Sequence, residues 1–165
     1  MDGRRDMADL SEQLATLTRR VQALEDELAI HRLIVRYGLA VDTGDAGRTA
    51  AVFTPDGVYD ADVRLMQGRA GVAEMVRGER HQSMVGHCAH QIGPAVVRVA
   101  GDRAVALGYS RVYLESDQAI SIYRISVNRW ELERRAGEWL IVRRVTRLLG
   151  HAETTALLRD GLSAV

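Results

Sequence analysis

The sequence predicts an α+β domain in which helices cover one face of a curved antiparallel sheet. Helical periodicity fills the first half of the chain, and from His87 onward the pattern changes to long strands joined by hairpin signals. Polar residues also recur on strand faces that are otherwise apolar, where a sheet normally buries its concave side.

The chain opens with a heptad stripe, Leu10, Leu14, Leu17, Val21, Leu24 and Leu28, in which spacings of four and three alternate. The stripe reads either as an arm that pairs with another subunit or as an amphipathic helix lying on its own domain. Residues 1–25 are assigned to this helical arm, 26–150 to the domain and 151–165 to a C-terminal tail. Ile30, Leu33, Ile34, Tyr37, Ala40 and Val41 continue helically on a shifted face, as a core helix would. The helix is expected to stop at Thr43-Gly44-Asp45, where glycine accommodates a left-handed cap. A short helical turn over residues 48–53 leads into Thr54-Pro55-Asp56-Gly57, a turn signal. Val58, Tyr59 and Val63 suggest a first strand, and residues 71–79 another helix. Residues 96–99, 104–114, 120–132 and 139–149 then read as strands. They are separated by Ala100-Gly101-Asp102, Glu115-Ser116-Asp117-Gln118 and Arg135-Ala136-Gly137.

A length of 165 residues suits one domain with a core and a pocket. The 22 basic residues are balanced by 22 acidic ones, without the basic excess of a nucleic-acid binder. No apolar run approaches a membrane span, and the opening residues lack the apolar centre of a signal peptide. A cytoplasmic protein with neither nucleic-acid nor membrane partners is expected. The lone cysteine, Cys88, excludes an internal disulfide and a multi-cysteine metal site. Every basic residue is Arg, so Schiff-base, phosphate-loop-lysine and Ser-Lys chemistries are excluded too.

Alternation places Asn128, the only Asn in the chain, on one face with Ile120, Ile122, Arg124, Ser126 and Trp130. It reads either as a polar ligand contact beside an indole or as a core amide satisfied by backbone. Tyr123, Ile125 and Val127 form the opposite, outward face, an apolar surface suited to two domains packing back to back. Tyr109, Arg111 and Tyr113 share a face of the preceding strand. In Gly86-His87-Cys88-Ala89-His90-Gln91, an extended backbone sends His87 and His90 to opposite sides and puts Cys88 with His90. That divergence argues against a metal held by the two histidines. His31, His81 and His151 take the ordinary reading of surface or structural residues. Asp42 falls in the last turn of the core helix, where the dipole disfavours an acid and calls for a compensating partner. If that partner is His90, the carboxylate sets the ring's tautomer and leaves the other nitrogen free as a general base. Tyr37, five residues before Asp42, then serves as hydrogen-bond donor or acid. The competing reading makes Asp42 a turn residue ahead of Gly44.

Residues 30–37, followed by Val41-Asp42-Thr43-Gly44-Asp45, resemble the opening of SnoaL-like proteins of the nuclear transport factor 2 superfamily. Phe53-Thr54-Pro55-Asp56-Gly57-Val58-Tyr59 resembles their next signature, and residues 137–144 their closing strand. The resemblance spans residues 25–150 and implies a cone-shaped sheet wrapped round a long helix, with a pocket between. It is strongest to the dehydratase and dehydrochlorinase branch, whose Asp-His pair is matched by Asp42 and His90; Tyr37 matches the helix tyrosine of the dehydratase, where the dehydrochlorinase has a lysine. Ser126 and Asn128 are similar to a Ser-x-Asn on a pocket strand of a more distant dehydratase. A last-strand Arg implies Arg144, or else Arg143, and the second pocket aspartate of a bile-acid dehydratase in that branch is replaced near Tyr113, a departure that argues against that substrate. Arg144 is preferred because simple alternation groups it with Leu140 and Val142. The site implied is catalytic Tyr37, Asp42 and His90, with Cys88, Tyr113, Asn128, Trp130 and Arg144 around the substrate and no metal. The expected function is a cofactor-independent lyase or isomerase, dehydratase-like, acting on a small apolar cyclic substrate in a homo-oligomer, dimeric or trimeric. A noncatalytic binding or assembly module is the alternative from another class, and polyketide cyclisation or epoxide hydrolysis uses overlapping residues.

Overall fold

The computed structural model describes residues 3–62, 64–117 and 119–163. Helix α1 runs unbroken from Gly3 to Asp42. It ends where Gly44 adopts φ +66° and returns its N–H to Val41. Helix α2 (Ala46–Ala51) starts on Asp45, whose side chain accepts the Arg48 N–H at 2.9 Å. Strands β1 (Phe53–Ala61) and β2 (Arg64–Gln67) form a hairpin, followed by α3 (Gly68–Arg77) and the single turn α4 (Glu79–Gln82). Four long strands follow: β3 (Cys88–Ala100), β4 (Arg103–Ser116), β5 (Ala119–Arg135) and β6 (Glu138–Leu148). Helix α5 (Thr154–Asp160) closes the chain.

The six strands form one mixed sheet in the order β2-β1-β6-β5-β4-β3, antiparallel except for the parallel pair β1–β6. The sheet is curved and open, and α1 from Ile30 onward lies in its concavity, with most of its contacts to β3. Ile30, Leu33, Ile34, Tyr37 and Val41 pack there against Phe53, Trp130, Trp139 and Ile141. The expected α+β class and the long helix within a curved sheet are both observed.

Several local expectations are corrected. Thr54-Pro55-Asp56-Gly57 is no turn between elements; it lies inside β1, where the register to β6 slips between Phe53 and Val58. A bulge accommodates Pro there because the ladder is already interrupted. The helix expected at residues 71–79 runs from Gly68 to Arg77. Strand β2 and helices α4 and α5 were not anticipated. Val63 and Gln118 lie outside the described residues. Tyr123 does not share the outward face of Ile125 and Val127. It is the extra residue of a bulge, since Val112 pairs with Arg124 and Tyr113 with Ile122. The outward face is also partly covered by the chain itself. Arg129 Nε donates to the Gly161 carbonyl at 2.8 Å, and Val127 is fully buried.

Candidate active site

Asp42 ends α1, whose last turn has no basic residue to offset the dipole. Compensation comes from β3. His90 donates its backbone N–H to Asp42 Oδ2 at 2.8 Å, and its ring Nδ1 lies 2.6 Å from Oδ1. Cys88, on the same strand face, donates its thiol to Oδ1 at 3.6 Å. Burial is the largest single influence on the Asp42 carboxyl and raises it. The hydrogen bonds from the His90 ring and backbone, the His90 charge and the Cys88 thiol together outweigh that, holding Asp42 below the usual carboxylate range. An ionised carboxylate only accepts, so Nδ1 carries the proton of that contact, and in the neutral ring the lone pair is on Nε2. The Cys88 thiol is pushed up to about 11 by burial and by the Asp42 carboxylate. It is therefore a protonated donor at neutral pH and a poor nucleophile.

His90 lines a hollow of about 300 Å³ between the sheet and α3–α4, at the lower end of small-molecule sites. Met66, Met75, Met84 and Val112 supply its apolar surface, and Tyr59, His81, Ser110, Arg124 and Arg144 its polar groups. Larger concavities on the convex sheet face and beside α2 have no histidine or tyrosine among their lining residues. His81, on α4, places Nε2 at 2.7 Å from the Val41 carbonyl, which fixes that nitrogen as the donor. Its ring centre stands 6.2 Å from that of His90.

Arg144 forms the floor. Only 3% exposed, it donates from Nε (3.1 Å) and Nη2 (2.7 Å) to Asn128 Oδ1, which also accepts from Thr146 Oγ1 at 2.8 Å. Asn128 Nδ2 donates to Ser110 Oγ (2.8 Å) and to the Ser126 carbonyl (3.4 Å). With three donors on its oxygen and two acceptors on its nitrogen, Asn128 has no capacity left for a ligand. Its bonds are those of a core amide, satisfied mainly by side chains. The Arg144 guanidinium carbon stands 4.4 Å from the Tyr37 ring centre, 4.6 Å from Tyr59 and 5.7 Å from Trp130. Its Nη1 is buried without a partner among the described residues.

The remaining expected residues divide. Tyr37 is buried behind Tyr59 and Arg144, and burial, then Tyr59, push its phenol up and keep it neutral. Trp130 is buried beneath Arg144 and belongs to the core. Tyr113 lies on the opposite face of β4 from Ser110 and Val112 and donates to Gln91 Oε1 at 2.9 Å, outside the hollow. Arg143 points away and reaches Asp60 at 3.0 Å, which settles the choice between the two arginines. Arg144 does not share a face with Leu140 and Val142, however. The register between β5 and β6 slips after Glu131, making Val142 an extra residue, so Arg144 joins Trp139, Ile141 and Thr146 on the concave side. Sequence reasoning missed Tyr59 and His81. Asp42, Cys88 and His90 also bring three potential metal-ligand atoms within 4.8 Å of one another. A cation there would have to displace the thiol proton and the proton shared by Asp42 and His90, so the donor set as arranged is a hydrogen-bonded cluster.

No helix among the described residues is long and apolar enough to cross a membrane. No curated protein matches the chain. Among solved structures, an NTF2-like protein with a cystatin-like fold from Novosphingobium aromaticivorans is 38% identical with a TM-score of 0.84, over 88% of this chain and 96% of that one. A candidate aromatic ring hydroxylase from the same organism is 27% identical (TM-score 0.67, 76% and 90% covered). A candidate scytalone dehydratase, also from that organism, is 18% identical (TM-score 0.66, 76% and 85% covered) and shares the fold. The SnoaL-like domain model matches residues 22–145, three quarters of the sequence and every element that builds the hollow, and the chain belongs to that family.

Proposed function

We propose that the protein is a cofactor-independent lyase or isomerase that moves a proton on a small cyclic substrate. The observation that carries this reading is His90, tied through Nδ1 to Asp42 at 2.6 Å while its ring lines the hollow. His90 Nε2 takes a proton from carbon beside a carbonyl, and Asp42 stabilises the imidazolium that forms. Tyr59, backed by the buried Tyr37, donates a hydrogen bond to the developing oxyanion or to a departing hydroxyl. In a dehydration the abstracted proton leaves with that hydroxyl as water, so the site returns to its starting state. Arg144 stabilises negative charge on the substrate oxygen through the field of its buried guanidinium. The ring in the name of the 27%-identical candidate hydroxylase supports a cyclic substrate.

The experiment needs no native substrate. Bicyclic and tricyclic ketones deuterated beside the carbonyl are incubated with the protein in water, and loss of deuterium is followed by NMR. The wild type washes out the label, His90→Ala abolishes washout, and Asp42→Asn lowers it about a hundredfold or more. Equal washout by wild type and His90→Ala refutes the base. Ketones that bind without exchange assign the hollow to a binding module.

A further inference from the structure

We propose that α1 pairs with α1 of a second copy as a parallel, in-register, two-stranded coiled coil. The side chains of residues 9–25 are exposed on every side, so this stretch of helix packs against nothing else among the described residues. Most helical stability in proteins comes from packing an apolar face, which this stretch does not obtain from the domain. Its apolar residues nevertheless form a single line: Met7, Leu14, Val21 and Leu28 at a positions and Leu10, Leu17 and Leu24 at d, each between 48% and 69% exposed. A strict seam of this width fits a partner helix, whereas packing on a sheet calls for a broader apolar face. The line extends into the domain through Val35, at another a position and 49% exposed.

Charge selects the occupant and its direction. The flanking g positions hold Arg20 and Glu27, and the e positions five residues on hold Glu25 and Arg32. In a parallel, in-register pair, Arg20 meets Glu25 of the partner subunit and Glu27 meets Arg32 of the partner subunit, twice over by symmetry. An antiparallel pair overlapping the whole stripe brings Arg20 against Arg20 of the partner subunit and forms neither attraction. The seam is also sterically free. Ile30, Leu33, Ile34 and Tyr37 face the sheet, and at the helical rotation per residue the seam lies roughly 130° round from them. Each sheet therefore sits outside the coil. Of the five a positions Val21 and Val35 are β-branched, and with Leu10, Leu17 and Leu24 at d they favour two strands.

Sedimentation equilibrium on the full chain tests the pairing. The wild type is expected at twice the chain mass. Leu17→Glu/Leu24→Glu is expected at the monomer mass, with unchanged near-UV circular dichroism because both positions are exposed. Leu14→Cys is expected to form an interchain disulfide under mild oxidation, since an a residue meets its own copy only in a parallel, in-register pair. Arg20→Glu and Glu25→Arg should each weaken the dimer, and their combination restore it. A monomeric or trimeric wild type, or a dimer that survives the double glutamate variant, overturns the proposal. A dimer without the Leu14→Cys cross-link overturns its parallel arrangement.

Discussion

Replacing Asn128 by Leu conserves shape while removing the acceptor on which the buried Arg144 depends. Arg144 has no carboxylate beside it among the described residues; Asn128 Oδ1 takes two of its N–H groups, and three aromatic rings cover its faces. Each lost charge-assisted hydrogen bond is worth about 1.5–3 kcal/mol. The rings still offset part of the cost of a buried cation, by about 2 kcal/mol where desolvated. Thr146 and Ser110 also lose a partner. The sum is about 3–5 kcal/mol, the cost of breaking one side of a buried charged contact. With a urea slope of about 2 kcal/mol per molar, the unfolding midpoint falls by about 2 M. Asn128→Asp keeps the oxygen and lets the Ser110 hydroxyl turn to donate, so it should lose far less. A Leu variant within about 1 kcal/mol of wild type, or an Asp variant less stable than the Leu variant, refutes the assignment of Asn128 as the anchor of Arg144.

Three further outcomes follow from other buried contacts. Asp26, 5% exposed, accepts from Arg134 at 2.7 and 2.8 Å and from Trp139 Nε1 at 3.2 Å, and the Arg134 hydrogen bonds first of all hold its carboxyl below the usual range. A lowered folded value contributes stability that is complete above the unfolded value of about 4 and is lost as pH falls through the folded one. Asp26→Ala should cost about 3 kcal/mol at neutral pH, with the two stability curves converging below about pH 4 in urea titrations; parallel curves would contradict this. The Cys88 thiol, pushed up to about 11, should react with a disulfide reagent at neutral pH orders of magnitude more slowly in the native protein than in urea. Cys88→Ala should retain washout within about tenfold, because Asp42 keeps its two shorter bonds to His90.

What could be read in the sequence depended on whether the signal was local. The contact between Asp42 and His90 was readable because an acid in the last helical turn lacks a partner in its own helix, and a histidine on an apolar strand face can supply one. Parity along β5 and β6 was not. Bulges at Tyr123 and Val142 each insert a residue, and every side chain beyond an insertion changes face relative to simple alternation. Arg144 was thus chosen for a grouping with Leu140 and Val142 that the bulge removes. Tyr59 escaped notice because its facing depends on the irregular parallel pairing of β1 with β6, strands distant in sequence. His81 sits in a four-residue helix with no periodicity to mark it; the Val41 carbonyl beside it, 40 residues earlier, gives it its orientation.

The dyad also depends on an atom that is missing. A Cβ added to Gly38 would stand 2.7 Å from the His90 carbonyl oxygen and 3.4 Å from Ile92 Cγ1. The first of these neighbours is backbone, which cannot turn aside as a side chain would, so α1 approaches β3 this closely only because residue 38 has no side chain. In an isolated helix Gly38→Ala would gain about 1 kcal/mol. Here the methyl must push β3 outward at the residue whose N–H and ring both hold Asp42. The substitution changes no reacting atom, yet it should reduce washout by about tenfold or more, since a displacement of a few tenths of an ångström lengthens a 2.6 Å contact. Its stability should fall below wild type despite the helical gain. A Gly38→Ala protein with wild-type washout and raised stability would mean that the helix and strand can separate without disturbing the contact between Asp42 and His90, and that the close approach is packing alone.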